Sequence, residues 1–330
     1  MQGVIGVSTI EFHNVRKIYP KAATAALADI SLTIHRGEFV ILLGPSGCGK
    51  TTLMKMINRL IEPSGGTILL DGVDIQSINA TKLRQQIGYV IQQVGLFPHM
   101  TVAENIAVVP KLLGWPKAKI QSRIDELLQL IQLDPAQFRQ RYPAQISGGQ
   151  AQRVGLARAL AADPGVMLMD EPFGAIDAIT RTALQDEMLR IQQQLQKTIV
   201  FVTHDVEEAL RLADKIAILH EGMIVQYDTP LNLLRNPANH YVAELLGADD
   251  LVRRLSLIQV RHVLQPLPAN YDSTLASIES SRNLRDGLNQ LLASSNEQLL
   301  VVEHNQPIGM LSLAAIHAYL HPEVSHERHR

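Results

Sequence analysis

The sequence predicts an α/β architecture. A mostly parallel β-sheet carries helices on both faces, with a small antiparallel sheet and a helical insertion beside it, and a small α+β module follows. Three observations lead there. Short and nearly continuous apolar runs, FVILL (39–43), VMLMD (166–170), IVFVT (199–203) and IAIL (216–219), are separated by segments with helical spacing. Continuous runs mark strands covered on both faces, whereas half-wet strands alternate. A glycine-rich loop, GPSGCGKTT (44–52), follows the first run, and composition shifts after NPANHYVAELLG (236–247).

Near the start, STIEFHNV, ISLTI and GGTILLDG read as short strands joined by turns, which predicts the antiparallel sheet. KTTLMKMINRL predicts a helix directly after the glycine loop, and ITRTALQDEMLRIQQQL another between two buried strands. Residues 101–162 are mainly helical, with AKIQSRIDELLQLIQL showing an apolar stripe at helical spacing. These elements fill a first domain, 1–247. In a second domain, 248–320, SRNLRDGLNQLLASS reads as a helix, and EQLLVVE and PIGMLSL as a hairpin turning at His304-Asn305-Gln306. AAIHAYL is a closing helix. Residues 321–330, HPEVSHERHR, carry three histidines. With nothing to fix their geometry they read as a disordered, solvated tail rather than a metal site.

Bulk properties exclude several classes. The 330 residues carry a net charge of −2, so no basic excess points to nucleic acid. Cys48 is the one cysteine, which excludes a disulfide framework and suits a reducing compartment. MQGVIGVSTIEF lacks the pattern of a secretion signal, and no apolar run reaches the roughly 18 residues of a membrane span.

The chemistry-bearing residues begin with GPSGCGKT, where Gly44 and Gly49 stand at phosphate-loop spacing before Lys50 and Thr51. Glycines let backbone N–H groups wrap anionic oxygens. Lys50 would reach the outer phosphates, and the Thr51 hydroxyl would bind Mg²⁺. VMLMDE ends a buried strand with two acids. Asp170 would hold the Mg²⁺ shell, and Glu171 would polarise the attacking water. His204 and Gln92 follow strand-like runs, which suits a γ-phosphate contact and a neutral Mg²⁺ ligand. Taken singly, each reads first as a structural histidine or a surface glutamine. Tyr19 is one of few aromatics and offers adenine a flat partner, unless it belongs to the core. Cys48 sits beside Lys50 at a helix start, where a lowered thiol pKa is expected, unless the position needs only a small residue. ISGGQAQRVGLARAL (146–160) supplies a second anion-seeking helix start.

In this order, the pieces resemble the ATPase subunit of an ATP-binding cassette (ABC) transporter over roughly residues 8–245. GPSGCGKTT is similar to the Walker A motif and VMLMDE to Walker B. The resemblance implies ATP contacts from Gly44, Ser46, Gly47, Cys48, Gly49, Lys50, Thr51 and Thr52, with Mg²⁺ held by Thr51, Gln92 and Asp170. Ser147, Gly148, Gly149 and Gln150 resemble the family signature, Gln92 the Q-loop, His204 the switch histidine, Tyr19 the adenine-stacking aromatic and Asp177 the D-loop. Ile146 and Ile176 stand where the family usually has leucine. The family pattern implies that two copies face head to tail, the signature of one capping ATP held by the other. It also implies separate transmembrane permease subunits, a solute-binding protein, and a peripheral place on the cytoplasmic face of the inner (plasma) membrane.

FPHMTVAENIAVVP after the Q-loop resembles importers, and KMINRLIEPSGG and MDEPFGAIDAITR resemble those for glycine betaine, choline or carnitine. An importer ATPase for amino acids or polyamines shares much of this pattern. A soluble, non-transport ABC ATPase would carry two cassettes or a long coiled-coil insertion, and neither is present. A binding module with dead catalysis would lack Lys50, Glu171 or His204. Residues 258–320 resemble a single CBS domain. Ala315 replaces the ribose-binding acid of nucleotide-binding CBS modules, which leaves a dimer strut, an ionic-strength sensor or plain packing.

Overall fold

A computed structural model describes residues 9–20, 24–92, 95–174, 177–268, 270–272, 274–294 and 297–320. The expected tail at 321–330 lies outside the described residues. The chain divides into two compact units, Met1–Thr229 and Pro230–Arg330.

In the first unit the chain runs β1 (Ile10–Lys17), β2 (Leu27–Ile34), β3 (Phe39–Leu43), α1 (Lys50–Ile57), β4 (Gly65–Leu70), β5 (Val73–Asp74), α2 (Ala80–Gln85) and β6 (Ile87–Val90). Four helices follow, α3 (Val102–Leu112), α4 (Lys117–Leu130), α5 (Pro135–Phe138) and α6 (Gly148–Leu160). The chain then alternates: β7 (Val166–Asp170), α7 (Ala178–Leu195), β8 (Thr198–Thr203), α8 (Val206–Leu212), β9 (Lys215–His220) and β10 (Met223–Asp228).

Six strands form the main sheet in the order β10-β9-β3-β8-β7-β6. All neighbours are parallel except β10, which returns antiparallel along β9 and forms one edge of the sheet. Strand β3 is buried at every position, as is β8. That is why their sequences run apolar without alternation. A second sheet, β2-β1-β4-β5, is antiparallel as expected. The edge strand β10, half-buried after its exposed first residue Met223, has no counterpart among the sequence expectations, because its run MIVQYD has no continuous apolar signature.

The core between the sheets is built from Ile10, Phe12, Leu42, Leu53, Met56 and Leu219 among others. On the other side, Phe201 stacks at 5.8 Å on Phe39 and 5.7 Å on Phe173. Helix α3 opens with a capping box in which Thr101 and Glu104 satisfy each other's backbone N–H.

The second unit contains α9 (Pro230–Arg235), α10 (His240–Leu246), α11 (Leu251–Leu257), β11 (Ser277–Glu279), α12 (Leu284–Ala293), β12 (Gln298–Glu303), β13 (Gln306–Ser312) and α13 (Leu313–Leu320). β11 pairs parallel with β12, and β12 antiparallel with β13. His304 and Asn305 both take positive φ, 50° and 63°, the geometry of a tight hairpin turn. Leu255, Val260, Ile278, Leu291, Leu299 and Leu311 form this unit's own core. Among the described residues no helix is long and apolar enough to cross a membrane.

Phe201 is fully buried between two rings. Phe201→Ala should cost about 3–5 kcal/mol, seen as a fall of roughly 10 °C in melting temperature. A shift of only a degree or two would mean that the ring cluster is not part of the cooperative core.

Candidate functional site

Sheet register decides where the candidate residues go. Leu43 pairs with Thr203, and Asp170 with Val202. The glycine loop, Glu171 and His204 therefore leave the sheet at one edge, the carboxyl ends of β3, β7 and β8. Val90 pairs with Met169, which brings Gln92 to the same edge. Parallel α/β sheets bind ligands outside this edge.

Within the loop, Gly49 has φ 108° and begins α1 without a side-chain cap. A Cβ there would lie 2.5 Å from Leu27 Cδ2 and 2.7 Å from the Ala26 carbonyl. Only glycine fits, and the first N–H groups of α1 have no side chain capping them and can meet an anion. Ser46 and Gly47 are exposed, while Gly44 is buried. Lys50 is buried, and its Nζ donates to the carbonyls of Gly44 (2.6 Å) and Pro45 (2.8 Å). The Tyr19 hydroxyl lies 3.3 Å from Thr52 Oγ1, and the residue is 38% exposed. Tyr19 thus stands beside the loop rather than in the core.

The expectation of a lowered thiol pKa at Cys48 is wrong. Cys48 is buried, and burial pushes its thiol up, with the Lys50 charge opposing only in part. A thiolate needs solvation that this position lacks.

Thr51 Oγ1 donates to Asp170 Oδ1 at 3.0 Å. Burial holds the Asp170 carboxyl above its usual range, while the Thr51 bond and the charges of Lys55 and Lys50 oppose this. Glu171 adopts φ 44°, and its N–H donates to the Val202 carbonyl at 3.0 Å. Such a left-handed conformation costs a non-glycine residue about 1–3 kcal/mol. Here it accompanies a convergence of three loops. Gln92 Nε2 donates to Glu171 Oε2 at 3.2 Å, and His204 Nδ1 lies 3.2 Å from Oε1. The Glu171 side chain is itself 24% exposed, so this carboxylate is reachable from solvent. A carboxylate held between an amide and an imidazole at the mouth of an anion cradle can take a proton from water.

Ser147, Gly148, Gly149, Gln150 and Asp177 form a separate group. Ser147 Oγ accepts from the Gln150 N–H (3.3 Å), and Gln150 Oε1 accepts from the Ser147 N–H (3.0 Å). The box stabilises the start of α6 while Ser147 and Gly148 remain exposed. A Cβ on Gly149 would lie 2.8 Å from the Thr180 methyl, so glycine seats α6 against the start of α7. Asp177 caps that helix by accepting from the Thr180 N–H at 3.0 Å. Ile176 lies outside the described residues. Gln152, Arg153 and Glu187, given no part by the sequence analysis, join this region to the core. The available signal was Glu187, a charge on the buried stripe Leu184, Met188, Ile191.

A strand, an anion-cradling loop and a helix, with an acid pair ending the next strand but one in the same sheet, define a nucleotide-binding protein of the P-loop class. The ABC transporter family matches residues 27–174. The carnitine transport ATP-binding protein OpuCA of Listeria monocytogenes is 49% identical over 295 residues, 89% of this chain and 72% of its own length. The glycine betaine uptake system ATP-binding protein YehX of Escherichia coli is 48% identical over 304 residues, 92% and 97% of the two chains. The ATP-binding cassette MJ0796, solved as a dimer in a post-hydrolysis state with ADP and Pi, superposes with a TM-score of 0.59 at 32% identity. That match covers 67% of this chain and 98% of the other. This chain belongs to the ABC transporter family, as an ATP-binding subunit.

Because its thiol is shifted upward, Cys48 should carry less thiolate at pH 7 than a free cysteine, whose pKa is about 8.5. Alkylation should be slow at pH 7, still rising at pH 9, and slower again with ATP. A labelling profile with a midpoint below about 8, or one indifferent to ATP, would contradict the buried position in the loop.

Proposed function

We propose that this chain hydrolyses ATP to drive an importer of quaternary-amine osmoprotectants: glycine betaine, choline or carnitine. The observation that carries the enzymatic part is the convergence of Gln92, His204 and the strained Glu171 at the edge that bears Lys50. The substrate class rests on relatives: OpuCA is described for carnitine transport and YehX for glycine betaine uptake.

The triphosphate lies on the loop, with its oxygens on the N–H groups of residues 47–52 and its adenine on Tyr19. Lys50 turns its ammonium from the loop carbonyls to the outer phosphates. The hydroxyl–carboxylate pair Thr51 and Asp170 is an all-oxygen donor set that suits Mg²⁺, with the Gln92 side-chain oxygen as a third ligand. The ion would neutralise phosphate charge. Glu171 takes the proton of the attacking water, and His204 holds the γ-phosphate and the Glu171 carboxylate in line. Ser147 accepts a backbone N–H within its own helix and keeps its hydroxyl proton for an external acceptor. That suits the γ-phosphate of ATP held by a second copy.

The partners are a second copy, permease subunits in the membrane and, indirectly, a solute-binding protein, with the ATPase peripheral on the cytoplasmic face. The cassette covers residues 1–247, and residues 248–320 form a single CBS-like module. Its order β11-α12-β12-β13-α13 supports that reading. Ser312 Oγ is used internally, donating to Gln265 and capping Ala315. This favours a strut over a nucleotide sensor.

Lys50→Ala should lower hydrolysis by about 100-fold or more; near-normal turnover would sink the loop assignment. Glu171→Gln should keep ATP and accumulate a dimer, visible by sedimentation only when ATP is present. The deciding experiment is uptake of labelled glycine betaine and choline in cells lacking this chain. Rescue by wild type but not by Lys50→Ala supports both energy source and substrate class. Uptake unchanged by the deletion, with no redundant carrier, refutes the substrate class.

A further inference from the structure

Two successive residues of α6 cross from the helical insertion to the α/β core. Gln152 is buried, and its Nε2 donates to the Pro172 carbonyl, directly after Glu171. Arg153 Nε lies 2.8 Å from Glu187 Oε2 on α7. The Glu187 side chain is only 5% exposed, and neither carboxylate oxygen has an aligned hydrogen bond among the described residues. A cavity of about 30 Å³ lies against it, bounded also by Val90, Leu156, Met169, Phe173 and Met188. The same guanidinium donates from Nη1 to the Ile131 carbonyl at 3.4 Å, and Arg190 of α7 donates to the Leu130 carbonyl. Burial pushes the Glu187 carboxyl up, opposed by the charges of Arg153 and Arg190.

For stability alone this is a poor device. A buried ion pair with unsatisfied oxygens can be replaced by apolar residues at no loss or even a gain. What it supplies is a fixed position: the end of α4, the start of α6 and the middle of α7 meet at one charge cluster.

We propose that Gln152 and Arg153, with Glu187 as the anchor, are positioning residues that latch the exposed Ser147 start of α6 to the strand end bearing Glu171. This rests on the reading that Ser147 acts on ATP held by a second copy. In such a pair, Glu171 serves the chain's own ATP and Ser147 the other one. The latch therefore sets the geometry with which one chain can engage both sites at once. It acts on pairing, not on the chain's own grip on ATP.

The test uses the full chain in the Glu171→Gln background, with two changes made separately: Glu187→Gln, and Arg153→Met together with Glu187→Leu. A fluorescent ATP analogue reads binding to the single chain, sedimentation with ATP reads dimerisation, and thermal melting reads the fold. The double variant should melt within about 5 °C of its parent and bind the analogue within about twofold. Both variants should dimerise about tenfold more weakly or worse. A folded double variant that dimerises as tightly as its parent overturns the latch, as does a parallel loss of analogue binding. If the Glu171→Gln parent itself fails to dimerise with ATP, the composite-site reading falls, and the latch with it.

Discussion

The register of three buried strands is the constraint on which the rest depends. β3, β7 and β8 are covered on both faces and lie inside the sheet, so their backbone groups are partnered by neighbouring strands rather than by water. Pairing Leu43 with Thr203 and Val202 with Asp170 then fixes which residues emerge together. A slip of one residue would displace Glu171 by about 3.3 Å and turn buried side chains to the wrong face. The 3.2 Å approach of His204 to Glu171 exists only in the native register. The site is thus a by-product of a hydrophobic pairing problem solved several residues away.

Placing charges at this edge has costs that the local structure meets in different ways. Lys50 is buried, but two loop carbonyls solvate its ammonium, so no counter-ion is needed. Asp170 is raised by burial and leans on the Thr51 hydroxyl. Glu171 instead carries backbone strain, held by the bond from its N–H to Val202, and keeps its carboxylate near solvent between Gln92 and His204.

Much of this was legible in sequence, for identifiable reasons. FVILL and VMLMD coincide with β3 and β7, because full burial forces unbroken apolar runs. GPSGCGKTT and ISGGQ were legible because an anion-binding helix start needs glycine or a capping serine at set positions. The convergence on Glu171 was only half visible: the residues could be named, but their meeting depends on register. Cys48 misled, because its neighbour in sequence, Lys50, is less decisive than the burial of its thiol. Arg153 and Glu187 lie on different helices, and nothing local marks one as the partner of the other.

The two helix starts that the proposed mechanism uses for phosphate are capped differently. The start of α1 has no side-chain cap and owes its shape to Gly49, so its N–H groups are organised by the loop around them. The start of α6 satisfies itself through Ser147 and Gln150 and is seated on Thr180 through Gly149. A helix start that lies exposed must be stable without its ligand, and self-capping provides that stability. A start that forms one wall of a pocket can leave its N–H groups to the ligand. The self-capped end is therefore the one suited to meeting phosphate already held elsewhere. Its rigid seat against the Asp177-capped helix means that such a meeting would be felt along α7 as well as α6.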